Sequence, residues 1–380
     1  MPARAQPPAL QEEEALHEKK EYLTRQLITY IGNKRALLNF IGNGVKKVQD
    51  KLRKEKLTAF DVFSGSGIVA RYFKQFSRVL IANDLEKYST VINECYLSNE
   101  NSVDIKTLKE QYRRILRGLS HERLEKGIIA SLYAPQKDAD IQSSERVFYT
   151  ARNAMYIDTA RKLIEELPPH DRKFFLAPLL SEASIHANTS GVFKGFYKNR
   201  ETGTGQFGGK NEDALLRIKG DITLHFPVFS NFSCDAIVLN EDANEVIRNV
   251  PEVDIAYIDP PYNQHPYGSN YFMLNLILDY RLPENVSRIS GIPPDWKRSR
   301  YNKANLAYRA LKDLMENIKA KFILLSFNSE GFIDAREMKE MLSRIGKLEV
   351  LETRYNAFRG SRNLKAREIH VKEYLYLLEK

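Results

Sequence analysis

Little in this chain suggests covalent or metal bracing. Its 380 residues include only two cysteines, Cys95 and Cys234, far apart, and no CxxC or Cys/His cluster occurs. A disulfide framework or a structural zinc site is therefore not expected, and no other metal is signalled. No apolar run approaches the ~20 residues that cross a bilayer. The first twenty residues contain QEEEALHEKK and lack the apolar centre of a signal peptide. They read as a polar tail, 1–20, and the protein as cytoplasmic. No internal repeat is visible. Acidic excess is also missing: 58 Lys plus Arg stand against 49 Asp plus Glu, a formal +9. That balance favours a polyanionic partner, with a merely soluble basic protein as the plain alternative. With 43% hydrophobic residues there is material for a sizeable core, in two units or in one fold carrying an insertion.

Apolar periodicity predicts a helix over 33–52, then a strand at Leu57–Phe63. A glycine turn, Ser64-Gly65-Ser66-Gly67, leads into a helix from Ile68 to Phe76. A second strand, Arg78–Ala82, ends at Asn83-Asp84, and Lys87–Asn99 is helical. This β–loop–α–β–α order opens a doubly wound α/β sheet. The pattern is lost between 100 and 220, where the expected helices include Thr107–Leu119 and one over 150–166. Residues 186–210, HANTSGVFKGFYKNRETGTGQFGGK, are Gly-rich, basic and aromatic. Strands return at Ile237–Leu239, Val253–Ile258, Lys321–Phe327, Leu348–Arg354 and His370–Leu378, with helices at 301–320 and 333–345 between them. The expected division is a first α/β part at 21–105, an inserted region at 106–225 and a second α/β part at 226–380.

The most informative residues are Asp259-Pro260-Pro261-Tyr262, at the end of the apolar run Val253–Ile258. Open α/β sheets bind ligands at that end of a strand. Asp259 and the Pro260 carbonyl can each accept one N–H of an amine. Tyr262 can stack on a flat ring, and neither proline offers a competing N–H. An ordinary strand-ending turn is the plain alternative. In the first half, Gly65 and Gly67 let backbone approach a ligand closely after Phe63. Asp84 stands 19 residues after Gly65, where a carboxylate can accept both hydroxyls of a ribose. Asp242 ends its own strand 17 residues before Asp259 and could meet a cofactor's adenine amine. Otherwise both are solvated loop carboxylates. Gly65-Ser66-Gly67-Ile68-Val69-Ala70 also fits G-x-G-x-x-A, which leaves a nicotinamide-dependent dehydrogenase open.

Together these motifs resemble the α-group of amino-methylating DNA methyltransferases, the Dam-like adenine enzymes, over roughly 22–99 and 235–380. Tyr30-Ile31-Gly32-Asn33-Lys34-Arg35 is similar to that family's N-terminal motif, and Asp61-Val62-Phe63-Ser64-Gly65-Ser66-Gly67 to its glycine motif. Asn83-Asp84 matches the ribose position and Glu241-Asp242-Ala243 the adenine-contacting one. Asp259-Pro260-Pro261-Tyr262 matches the catalytic tetrapeptide. The resemblance implies a Rossmann-like S-adenosylmethionine-dependent sheet with an inserted target-recognition domain. It implies S-adenosylmethionine as cofactor, touched by Tyr30, Asn33, Lys34, Phe63, Gly65, Gly67, Asp84, Asp242 and Ala243. It implies adenine in duplex DNA as target, with Asp259, Pro260 and Tyr262 catalytic. The insertion does not align with the Dam enzymes. Residues 265–272 and Arg359-Gly360-Ser361-Arg362 look more like adenine methyltransferases of restriction systems, which implies a cognate restriction endonuclease encoded nearby, or an orphan enzyme.

A base inside a duplex cannot reach a strand-end pocket, so the target must be flipped out. Lys194, Phe196, Lys198 and Arg200 interleave cations with aromatics, as phosphate contacts and stacking wedges do; buried loop aromatics are the alternative. His265, Tyr267, Asn270 and Tyr271 follow the catalytic turn and are placed to close over the base. Arg359, Arg362, Lys365 and Arg367 form a second basic stretch suited to backbone phosphates. Lys34 reads as a contact to the cofactor carboxylate or to the target pocket, or else as a solvated lysine opening a helix, and Tyr30 as pocket wall or core. Cytosine-N4 and RNA adenine methylation use the same acceptors and stay open, as does a non-catalytic DNA-binding protein.

Overall fold

The computed structural model describes residues 17–25, 27–120, 123–208, 212, 214–356 and 370–380. Seven strands form one sheet: β1 (Leu57–Asp61), β2 (Ser77–Asn83), β3 (Asp235–Leu239), β4 (Val253–Ile258), β5 (Ala320–Asn328), β6 (Lys347–Asn356) and β7 (His370–Glu379). Their spatial order is β3-β2-β1-β4-β5-β7-β6. From β3 to β5 all pairings are parallel, and β7 runs antiparallel between β5 and β6. Strand β1 has β2 on one side and β4 on the other, so the winding reverses there. A crevice opens outside the carboxyl ends of strands at such a reversal.

The helices, in chain order, are α1 (Lys20–Thr24), α2 (Leu38–Leu52), α3 (Ile68–Phe73), α4 (Lys87–Tyr96), α5 (Ile105–Gly118), α6 (Ile128–Tyr133) and α7 (Ala151–Glu165). Then come α8 (Pro169–Ile185), α9 (Leu215–Lys219), α10 (Ala243–Asn249), α11 (Tyr267–Asn270), α12 (Phe272–Asp279), α13 (Ala304–Asn317) and α14 (Ala335–Ser343). Among the described residues, no helix is long and apolar enough to cross a membrane.

Side chains alternate across the sheet, so each central strand feeds two cores. Phe60, Ile81, Ala256, Ile258 and Ile323 pack with α10, α13 and α14 on one face. Ala59, Leu80, Ile255, Tyr257 and Leu324 pack with α2 and α3 on the other. This is why β4 reads as an unbroken apolar run: all six of its residues are buried. A third core joins α5–α9, from the long segment between β2 and β3, to α4 and α12. The packing beside the sheet is thereby continuous with the elements that carry the strand-end loops. A buried carboxylate locks part of it. Asp158 of α7 accepts from the N–H groups of Gly127, Ile129 and Ala130 at the start of α6 and from the Tyr280 hydroxyl, all within 2.8–2.9 Å.

Candidate active site

One pocket lies in the crevice at the carboxyl ends of β1, β2, β3 and β4. Its lining includes Tyr30, Phe63, Gly65, Asp84, Asp242, Ala243, Asp259, Pro260, Tyr262 and Tyr267. Residues spread over more than two hundred positions of sequence thus meet at the one place where the sheet's winding reverses.

The Asp84 side of the pocket is built by cross-strand pinning. Asn83 donates to the carbonyls of Val62 and Glu241 and accepts from the Glu241 N–H, tying the ends of β1, β2 and β3 together. Asp84 is oriented by two backbone donors, Gly65 N–H at 2.8 Å and Glu86 N–H at 2.9 Å. Burial pushes its carboxyl up to about 6 against these hydrogen bonds. Gly65 has φ +52°, and a Cβ there would sit 2.8 Å from the Tyr30 ring. Only glycine fits this approach. Gly67, φ +75°, precedes α3 and backs onto Asn93 rather than lining the pocket. Phe63 meets Tyr301 edge-to-face at 5.1 Å and forms an apolar wall beside Ala243. Asp242 caps α10 through the Asn244 N–H and pairs with Arg300 at 2.9 Å.

The Asp259 side of the pocket rests on a buried ion cluster. Lys34 is 3% exposed, and its ammonium lies 3.2 Å from Asp259 and 2.7 Å from Glu373. Burial pushes the Asp259 carboxyl up to about 7, with Lys34 pulling it down and Glu373 adding to the rise. Lys34 does not line the pocket; it sits behind Asp259. The turn itself is clamped by Asn302, which donates to the Asn263 carbonyl, and by the Phe332 N–H on the Tyr262 carbonyl. The Tyr262 and Tyr267 hydroxyls converge on Gly32, where a Cβ would lie 3.8 and 3.4 Å away. Tyr30 stacks on both Tyr267 and Tyr271, at 4.9 and 4.8 Å between centroids. Tyr271 and Tyr267 also bond the N–H and carbonyl of Ile31, so the N-terminal motif and the segment after the tetrapeptide are one rigid assembly. Tyr30 is both wall and packing. Asn33 accepts from the Arg35 N–H and lines a neighbouring groove, not this pocket.

The basic stretch of the long segment reaches the same neighbourhood. Phe193 N–H donates to the Asn270 carbonyl at 2.7 Å, and Lys194 lies close enough to His265 to lower its pKa, second to burial. The aromatics of this stretch are core: Phe193 is buried, and Phe196 packs edge-to-face on Phe148 at 5.2 Å. Lys194, Lys198, Arg200 and His265 stay exposed. Asn270 is buried and bonds the His265 carbonyl. Arg359, Arg362, Lys365 and Arg367 lie outside the described residues.

Sequence reading missed Glu86, Lys297, Ser299, Tyr301 and Asn302, all of which line the pocket. Lys297 donates to the Leu85 carbonyl at 2.8 Å and spans the rim. Four of the five lie between α12 and α13: Lys297 and Ser299 fall in no expected element, and Tyr301 and Asn302 fall in the first turn of the helix expected over 301–320. Glu86 offered one signal, a second carboxylate just after Asp84.

The charge of the pocket discriminates between cofactors. Asp84, Glu86, Asp242 and Asp259 all line it, opposed at the rim by Lys297. A lining with this many carboxylates suits a ligand carrying a sulfonium and an amino cation better than a dinucleotide's pyrophosphate. The residues fit S-adenosylmethionine and argue against the dehydrogenase.

Comparison with known proteins agrees. The family model of the D12 class N6 adenine-specific DNA methyltransferases matches residues 30–341. The chain is 31% identical over 365 residues to the Type II methyltransferase M.NlaIII of Neisseria lactamica, covering 93% of this chain and 99% of that protein. It is 29% identical over 361 residues to the Type II methyltransferase M.CviAII of Paramecium bursaria Chlorella virus 1, covering 92% and 98%. It is 27% identical over 364 residues to the Type II methyltransferase M.FokI of Planomicrobium okeanokoites, covering 92% of this chain and 52% of that longer protein. With its motifs meeting at the strand ends, the family model matching residues 30–341 and 93% of the chain aligned to M.NlaIII, the chain belongs to the D12 class of N6 adenine-specific DNA methyltransferases.

Proposed function

We propose that this enzyme binds S-adenosylmethionine between Asp84 and Asp242 and methylates the exocyclic amine of an adenine flipped out of duplex DNA. In this reading it is the modification partner of a restriction endonuclease and acts in the cytoplasm. The observation that carries the reading is the placement of Asp259 and Pro260 in the same pocket as the Asp84 and Asp242 walls.

S-adenosylmethionine supplies an electrophilic methyl group on a sulfonium. The protein's part is to make a poor nucleophile competent. The adenine amine shares its lone pair with the ring. An Asp259 oxygen and the Pro260 carbonyl each accept one N–H, which favours a pyramidal nitrogen with its lone pair directed outward. Positive charge then grows on that nitrogen, and the Asp259 carboxylate stabilises it in a site partly closed to water. Fixed positions for amine and methyl donor supply much of the remaining acceleration. Tyr262 offers a face for the flipped base, with Tyr267 beside it. No strong base is required, because the methylated nitrogen is acidic. Lys194, Lys198, Arg200 and His265 form the adjacent phosphate-contacting surface.

The test is labelled methyl transfer to unmethylated genomic DNA, followed by digestion and nucleoside mass spectrometry. N6-methyladenine is expected from the wild type and none from Asp259→Ala, which should still bind cofactor. Wild-type turnover in Asp259→Ala, or product on RNA and none on DNA, would overturn the reading.

A further inference from the structure

Glu373 is an unexpected neighbour of the catalytic turn. It sits on β7, beyond the residues matched by the family model and more than a hundred positions after Asp259. The antiparallel insertion of β7 between β5 and β6 places it opposite Asn328 and Thr353. Its carboxylate is 1% exposed and takes the Lys34 ammonium at 2.7 Å, closer than Asp259 does at 3.2 Å. The Ser326 hydroxyl of β5 donates to the same oxygen at 2.5 Å. A buried lysine with one carboxylate forms a neutral pair; here it has two.

We infer that Glu373 is a positioning residue for methyl transfer, holding Lys34 and offsetting its charge so that Asp259 stays available to the target amine. The inference rests on the role of Asp259 proposed above. Its physical basis is competition for one ammonium. In a site this buried, water screens charges poorly and an ion pair is strong. Without the Glu373 charge, Lys34 has Asp259 as its sole ionic partner among these groups. The ammonium then occupies an acceptor that the adenine N–H needs. It also places a full positive charge beside the nitrogen where positive charge develops. With Glu373 in place, Lys34 still fixes the orientation of Asp259 but is drawn towards β7. The Ser326 hydroxyl, donating to the oxygen that meets Lys34, holds the Glu373 carboxylate in place.

The pH dependence follows from the groups around Asp259. Lys34 faces it from the start of the segment before α2 and Glu373 from β7. Asp61 faces it from the end of β1, Tyr257 from β4, and Tyr262 and Tyr267 from the loop and α11. Glu373 raises the carboxyl of Asp259 and Lys34 lowers it. Removing the Glu373 charge therefore moves the protonation of Asp259 to lower pH.

The experiment is steady-state methyl transfer to unmethylated duplex DNA from about pH 5 to about pH 9 with wild type and the isosteric Glu373→Gln. Cofactor affinity is followed separately by titration. The expected result is a loss of roughly tenfold or more in kcat. The acid limb should move down by on the order of one pH unit, with KM for the cofactor unchanged. Unchanged kcat, or a lower kcat with the limb in place, would overturn the inference, since a merely structural role would not move the limb. Should Glu373→Gln not fold, Ser326→Ala leaves every charge but loosens Glu373. It should show a smaller loss with the limb displaced the same way, and a wild-type profile would overturn the inference. Wild-type protein that transfers no methyl group to DNA at any pH would instead overturn the underlying role of Asp259.

Discussion

Replacing Gly65 with alanine should damage both stability and cofactor binding, and the structure gives the size. Gly65 has φ +52°, a region that costs an L-residue about 1–2 kcal/mol. A Cβ would also lie 2.8 Å from Cε1 and 3.1 Å from the hydroxyl of Tyr30. Tyr30 has no easy retreat, because its ring is stacked on Tyr267 and Tyr271 at 4.9 and 4.8 Å. Overpacking of this kind costs a further ~1–3 kcal/mol. The control is Gly203, which has φ +70° but nothing within 4 Å of a Cβ. Gly203→Ala pays the backbone strain alone, so urea unfolding should separate the two variants by the ~1–3 kcal/mol of overpacking. Cofactor titration should separate them too. Displacing Tyr30 moves a pocket wall, and the Gly65 N–H that orients Asp84 shifts with it. Trp296 is the only tryptophan and neighbours Lys297 on the rim, so its fluorescence is a suitable reporter. A Gly65→Ala protein no less stable than Gly203→Ala, with wild-type cofactor affinity, would refute the packing argument.

Two further outcomes are expected beside those for Asp259 and Glu373. Burial lifts the Glu86 carboxyl from 4.5 to about 7, so its contribution to stability is full below 4.5 and is lost as pH rises through 7. Glu86→Gln removes that loss and should stabilise the fold by up to about 3 kcal/mol above neutrality and by little in acid; melts showing equal gains at both ends would contradict the assignment. Lys194→Ala combined with Lys198→Ala should weaken DNA binding and reduce the slope of log affinity against log salt by about 2, and an unchanged slope would remove these lysines from the phosphate surface.

Much of the sheet was legible in the sequence because a buried parallel strand leaves a local record. The run Val253–Ile258 coincides with β4, since every side chain there is buried. The glycine turn was equally local: positive φ and close approach admit one residue type, whatever the rest of the chain does. The tetrapeptide and the carboxylates after β2 and β3 could be placed at one end of the sheet because each follows a strand whose carboxyl end opens on the same crevice. Helix ends were less legible. The helix expected over 301–320 runs only over Ala304–Asn317, because Tyr301 and Asn302 turn aside to line the pocket.

What the sequence determined by itself was therefore the alternation of strand and helix, the glycine turn and the chemistry of the strand-end carboxylates. These depend on backbone geometry and on side-chain type over a few residues. Tertiary structure alone decided which of those groups share a site and which are held away from it. It turned Phe196 into core, put Asn33 on a separate groove, and brought Lys194 to His265. It also delivered Glu373 to Lys34, because an antiparallel last strand inserted between β5 and β6 carries a distant carboxylate to the ammonium that meets Asp259. No local pattern encodes that meeting. It follows from strand order, and its strength follows from the burial that the strand order creates.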